Sequence, residues 1–284
     1  MTAPGAAGAP PLHLVLHVPK CAGKTLERHF EAHMPAGAFV KPLRRRPPAR
    51  WVLPRHAPDA VADPARVRVA SSQQIGRSLE TRFAGREILR TALIRDPLSH
   101  GISYYNFRMM RYVAMGWGTY DFDTHVRSEP RNRITRFLLW SYLEIPWPRL
   151  VTMSGEEAFA LVARHFRDFW FVGSYRLCDE LTAELAPVLD IPAVAVRQND
   201  RAEMAKTIVW DELKAADLDP ALRARIVADN AVDQALFDSF AEARHGAGSV
   251  RLQPPPRSAR LAPLGHELAR PLHEARRRIG RGYW

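Results

Sequence analysis

Three observations predict an α/β fold with a central parallel sheet flanked by helices. Short runs at residues 12–18, 88–94 and 168–173 are almost wholly apolar, as strands buried on both faces of a parallel sheet are. Each leads into a polar junction and then a helical pattern, and strands alternating with helices build βαβ units. With 284 residues, 46% hydrophobic and 25% charged, the chain has enough apolar side chains for one large α/β domain, which excludes global disorder.

The elements follow in order. Residues 12–18 form the first strand, and residues 25–33 a helix that ends before Met34-Pro35. Residues 41–66, with Arg44-Arg45-Arg46-Pro47-Pro48, read as a long surface excursion. A short strand at 67–71, a helical stretch at 77–83 and a strong strand at 88–94 come next. A helix spans 98–115, and Gly116-Trp117-Gly118-Thr119-Tyr120 breaks it. Helices are predicted at 121–128, 132–143 and 155–166, a strand at 168–173 and a helix at 176–189. A long helix at 219–243 is opened by Asp219-Pro220, a cap followed by a first-turn proline. After Gly248 the chain turns to Pro, Arg and His. The expected organisation is a flexible N-terminus (1–11), one domain (12–246) and a basic Pro/Arg-rich C-terminal tail (247–284), partly helical at 264–278.

A formal net charge of +11 favours anionic partners: nucleotides, phosphorylated or sulfated ligands, nucleic acid or acidic membranes. Two cysteines, Cys21 and Cys178, give neither a disulfide framework nor metal-ligand spacing, so a reducing cytoplasm is the default and no metal is expected. No apolar run reaches membrane-spanning length and the N-terminus lacks a basic signal-peptide region. The basic tail leaves a membrane-peripheral location open, since the arginines at 44–46 and 276–278 suit either solvent or an anionic surface.

The chemistry concentrates after the first strand, in His17-Val18-Pro19-Lys20-Cys21-Ala22-Gly23-Lys24-Thr25-Leu26. A strand–loop–helix junction aims backbone N–H groups and the positive end of a helix dipole at one place. Two of the chain's five lysines lie in this loop. Three readings compete. One is an ordinary turn with surface lysines. Another is a nucleotide P-loop, since Gly23-Lys24-Thr25 matches its ending, although Val18 stands at the first glycine position. The third is a sulfotransferase loop. The segment resembles the H-[IV]-P-K-x-[AG]-G-T-[ST]-L signature of the sulfotransferase superfamily, in its carbohydrate 2-O-sulfotransferase and bacterial branch, with Lys24 at the usual first threonine.

About 75 residues on, the strand at 88–94 runs into Arg95-Asp96-Pro97-Leu98-Ser99-His100-Gly101-Ile102-Ser103-Tyr104-Tyr105. This is similar to the family's R-D-P-x-x-R-x-x-S-x-Y, with His100 at the usual arginine. On its own, Arg-Asp-Pro reads equally as an ion pair stapling a turn. Three later segments also resemble the family: 131–138 its N-x-x-T-R-[FY]-L helix, 171–181 its F-[IV]-G-x-x-E junction and 218–237 its final helix.

The resemblance, over about residues 12–245, implies a three-layer P-loop-like sulfotransferase fold. It implies 3′-phosphoadenosine 5′-phosphosulfate (PAPS) as sulfuryl donor, with the 5′-phosphosulfate on Lys20, Cys21, Ala22, Gly23, Lys24, Thr25 and Leu26 and the 3′-phosphate on Arg95 and Ser103. The acceptor it suggests is a hydroxyl of a carbohydrate or glycoconjugate, and no nucleic-acid partner is expected. In-line sulfuryl transfer needs a cation near the leaving oxygen, for which Lys20 is the candidate, and a base for the acceptor proton. Relatives can place a histidine before the second motif; here that region reads Ser71-Ser72-Gln73-Gln74. His56, His100, His125 and Glu80 remain as candidates, with His56 the one carried forward. His17 is expected to pack beneath the loop, and residues 104–122 read equally as acceptor lid or core. The rival readings are an ATP-dependent kinase and a non-catalytic polyanion binder on a decayed sulfotransferase fold.

Overall fold

The computed structural model describes residues 10–44, 56, 60–194 and 211–262. Among them, one sheet is built from β1 (Leu12–Leu16), β2 (Phe39–Val40), β3 (Val69–Ser72), β4 (Ile88–Ile94) and β5 (Phe171–Ser174). The strands are parallel and ordered β2-β3-β1-β4-β5. All five residues of β1 are buried, which is why the sequence shows no alternation there. Leu16 lies beside Ser72 of β3 on one side and Ala92 of β4 on the other. The strand expected at 168–173 lies at Phe171–Ser174, because Asp168 and Phe169 bond back as a turn closing the preceding helix.

The helices are α1 (Gly23–His33), α2 (Pro97–Ala114), α3 (Phe122–Ser128), α4 (Arg133–Phe137), α5 (Trp147–Thr152), α6 (Gly155–Phe166), α7 (Cys178–Leu189), α8 (Pro220–Asp229) and α9 (Ala231–Phe240). Asp96 caps α2 by accepting from the Ser99 amide at 2.8 Å, and Pro97 fills its first turn. The helix expected at 132–143 is α4 followed by a π-helical turn at Leu138–Tyr142. The single helix expected at 219–243 is two. Asn230 breaks it, donating its side-chain amide to the Ile226 carbonyl and accepting from the Asn132 amide at 2.7 Å. The stretch at 77–83 is a 3₁₀ helix.

The main core joins the sheet to α1, α6, α7 and α9 through Leu14, Phe30, Phe166, Phe171, Leu185 and Phe240. A second cluster, around Tyr105, Met109, Phe122 and Ile226, ties α2 to α3 and α8. The start of the segment expected to hang as a tail is packed. Leu261 is fully buried, and Asn132 donates to the carbonyls of Arg260 and Leu261. Residues 260–262 therefore pack on the domain; the helical stretch expected at 264–278 and the arginines at 276–278 lie outside the described residues. No described helix is long and apolar enough to cross a membrane.

Candidate functional site

After β1 the chain builds β2 and β3 on one side, then crosses to add β4 on the other. Ligands of open α/β sheets sit at such a switch, outside the carboxyl ends of the strands. Here that place is the loop after Leu16, with the end of β4 beside it.

The loop is wound tightly. Lys20 and Ala22 both adopt the left-handed backbone region, at φ 65° and 64°, an unfavourable conformation for non-glycine residues. Two side chains from the second motif hold it. The His100 ring donates from Nε2 to the Pro19 carbonyl at 3.0 Å, and Arg95 donates from Nη1 to the Lys20 carbonyl at 3.2 Å. Burial, then the charge of Arg133, lowers the His100 pKa to about 3, so the ring is a neutral single donor to that carbonyl. His100 therefore fastens the loop and is taken out of the list of bases. Gly23 opens α1 against the His17 ring: a Cβ there would lie 2.3 Å from Cδ2 of His17. The close approach requires glycine.

The loop and the end of β4 border one cleft of about 880 Å³. Lys20, Ala22, Gly23, Lys24 and Thr25 line it from the loop side, and Arg95 and Ser103 from the other. Aromatic rings shelve two of the cations. Lys20 Nζ sits 4.2 Å from the Phe107 ring centre, and the Arg95 guanidinium 4.1 Å from that of Tyr175. Arg95 also donates from Nε to Ser99 Oγ at 2.9 Å, which fixes the plane of its fork.

Not every predicted residue reaches the cleft. Cys21 and Leu26 are buried in the core at 1% exposure each and do not line it. Burial pushes the Cys21 thiol pKa up, so it stays protonated. His56 lies apart from the cleft. Its Nε2 accepts from the Gly76 amide at 3.1 Å and from Arg44 at 3.4 Å, while burial and the Arg44 charge lower its pKa to about 4. Its lone pair is committed to the fold, which corrects its assignment as base. Glu80 is likewise occupied, gripped by both branches of Arg90 and by Tyr142. His125 is buried among Tyr105, Tyr120 and Phe122, in the second core cluster.

Sequence reasoning missed a pair that does line the cleft. His17 packs under Gly23 as expected, and its Nδ1 also meets Glu27 Oε1 at 2.7 Å. Ten residues separate them, across a loop whose two left-handed residues bring the first turns of α1 back over the strand end. The available signal was a histidine at the strand's end followed by one buried acid on the next helix. On the far side of Pro19 and Tyr104 lies a smaller cavity of about 220 Å³, walled by Phe137, Trp140, Trp147 and Leu150.

Among the described residues no group of three or more His, Cys, Asp or Glu side chains could hold a metal ion. No protein-family model matches the chain, and no curated protein matches it. A solved structure, the sulfotransferase from Alicyclobacillus acidocaldarius, is 16% identical with a TM-score of 0.39, over 81% of this chain and 96% of that one. At that identity and TM-score nothing about this chain's chemistry follows from the likeness.

Proposed function

We propose that this chain is a sulfotransferase that takes its sulfuryl group from PAPS and passes it to a hydroxyl acceptor of carbohydrate or glycoconjugate type. The observation that carries the reading is the joining of two anion-binding motifs, far apart in sequence, at the walls of one cleft. A ligand with phosphate groups at both ends of a nucleoside matches that arrangement better than a single anion does. Lys20, Lys24, Thr25 and the head of α1 would hold the 5′ end, and Arg95 and Ser103 the 3′-phosphate. Arg95 keeps guanidinium donors beyond those spent on Ser99 and the Lys20 carbonyl. The donor set is cationic and hydroxylic, as two phosphate groups require.

When bound, the donor supplies an activated sulfuryl group. The chain's part is to hold and orient it, and to place positive charge where the leaving oxygen becomes negative. Lys20 is assigned that task. Lys24 adds a second cation on the same wall.

Calorimetry with adenosine 3′,5′-bisphosphate tests the donor site. The wild type should bind, and Lys20→Ala and Arg95→Ala should each lose about 10- to 100-fold in affinity, the loss of a charge-assisted hydrogen bond. Equal binding by all three proteins would overturn the site. Tight binding of ATP with magnesium, without binding of the bisphosphate, would replace the reading with the kinase one.

A further inference from the structure

We propose that His17 is the general base that takes the proton of the acceptor hydroxyl, with Glu27 as its positioning residue; this rests on the sulfuryl-transfer reading above. Glu27 is 7% exposed and is held from three sides. Its Oε1 receives His17 Nδ1 at 2.7 Å and the Ser71 hydroxyl at 3.2 Å, and its Oε2 lies 3.5 Å from Lys41 Nζ. A carboxylate at Nδ1 fixes the tautomer: Nδ1 carries the hydrogen, and Nε2 of this 7%-exposed ring carries the lone pair. That lone pair meets the side-chain amide of Gln73 at 3.3 Å, at the long end of the hydrogen-bond range and therefore readily exchanged. Gln73, His17 and Glu27 line the same cleft as Lys20 and Gly23. A base, a carboxylate that orients it and a weak placeholder donor thus stand on the wall built by the anion-binding loop. The other histidines considered for this role are fastened to backbone or packed in the core.

The step balances as follows. The acceptor hydroxyl replaces the Gln73 amide and donates to His17 Nε2. Its oxygen forms a bond to the sulfur of the donor, and the bond from sulfur to the bridging oxygen breaks, leaving its electron pair on the 5′-phosphate. The acceptor proton ends on Nε2, and the imidazolium is stabilised by Glu27. Release of that proton to solvent restores the neutral ring.

The test combines a spectroscopic and a kinetic readout on the full chain. In long-range proton–nitrogen spectra of ¹⁵N-labelled protein with adenosine 3′,5′-bisphosphate, the signals lost in His17→Asn should report an Nδ1–H tautomer. Glu27→Ala should shift that ring toward a mixture of tautomers, whereas Glu27→Gln, whose amide oxygen still accepts at Nδ1, should keep the Nδ1–H form, a difference that a Glu27 without hold on the ring would not produce. With PAPS and water as acceptor, release of the bisphosphate should fall at least about 100-fold in His17→Asn and about 10-fold in Glu27→Gln, while bisphosphate affinity stays within about threefold. An Nε2–H tautomer in the wild type, or wild-type turnover by His17→Asn, overturns the base while leaving the donor site standing. Loss of bisphosphate affinity in His17→Asn beyond threefold makes His17 a scaffold and also overturns it. A wild type that binds the bisphosphate but does not turn over is decided by the tautomer alone. A wild type that does not bind it sinks the sulfotransferase reading, and the base with it.

Discussion

Glu27 and Asp233 are both buried carboxylates, at 7% and 3% exposure, and they do opposite work. Asp233, on α9, faces the start of α4. Its Oδ2 accepts from the Ile134 amide at 3.0 Å, and its Oδ1 from the Thr135 amide at 2.8 Å and the Thr135 hydroxyl at 2.5 Å. Asn132 answers from α4, accepting the amides of Val232 and Asp233 at the start of α9. The two short helices thus cap each other, and every partner is a fixed donor of the fold. Glu27 is partnered instead by side chains alone, an imidazole, an ammonium and a hydroxyl, and the first two of these line the cleft. A carboxylate saturated by backbone amides is a fastener. One partnered by an imidazole that borders a cleft is placed to act.

Removing the fastener should have the largest effect. Asp233→Ala strands three buried donors at the start of α4 and should cost on the order of 3–5 kcal/mol, read as a lowered urea midpoint. Even Asp233→Asn turns one of two accepting oxygens into a donor facing an amide, so it should cost about 2–3 kcal/mol. A shift of a few tenths in either variant would break the contrast, because it would mean that α4 and α9 do not depend on each other.

Two histidines extend the comparison. His100 is locked on the Pro19 carbonyl, whereas His17, at 7% exposure, lines the cleft. The His100 pKa falls from 6.5 to about 3 in the fold, so its neutral ring favours the native state above pH 6.5. Below that the unfolded chain takes up a proton that the native state refuses, and stability drops as pH falls toward about 3. By pH 4.5 the loss from this one residue should reach about 2–3 kcal/mol, at about 1.4 kcal/mol per pH unit. Unfolding measured from pH 7 to 4.5 should include this slope beside those of His13 and His56, whose pKa values also fall to about 4, and His100→Gln should reduce it by His100's share. An unchanged slope in His100→Gln would show that the ring is not held neutral by its burial.

Much of this was legible beforehand because it is local. The strands at 12–18 and 88–94 announce themselves as apolar runs, and their loops end up adjacent because β1 pairs with β4. Lys20, Gly23, Thr25, Arg95 and Ser103 line one cleft, a convergence that the family resemblance implied and that spacing alone did not give. What was hidden depends on backbone shape or on contacts distant in sequence. The pairing of His17 with Glu27 requires two non-glycine residues in left-handed conformations, which no residue preference announces. The break at Asn230 requires Asn132, 98 residues earlier, to claim its side chain. His56 looked available as a base because nothing local reveals that Arg44 and Gly76 would enclose it.

The smallest expected change in stability is also the most discriminating. Glu27→Gln keeps the volume and the oxygen that meets His17 and Ser71, and it exchanges only the oxygen facing Lys41, a contact of 3.5 Å with a partly exposed ammonium. The exchange should cost no more than about 1 kcal/mol, since a distant ion pair at a cleft contributes little. Asp233→Asn makes the same chemical change, carboxylate to amide, in a site where both oxygens are claimed by buried donors. Urea unfolding of the two variants side by side isolates the surroundings from the chemistry. If Glu27→Gln proves as destabilising as Asp233→Asn, Glu27 is a second fastener, and its place beside His17 reflects packing. If it leaves the midpoint nearly unmoved while release of the bisphosphate from PAPS falls about tenfold, the carboxylate at the cleft is held for what it does to the imidazole.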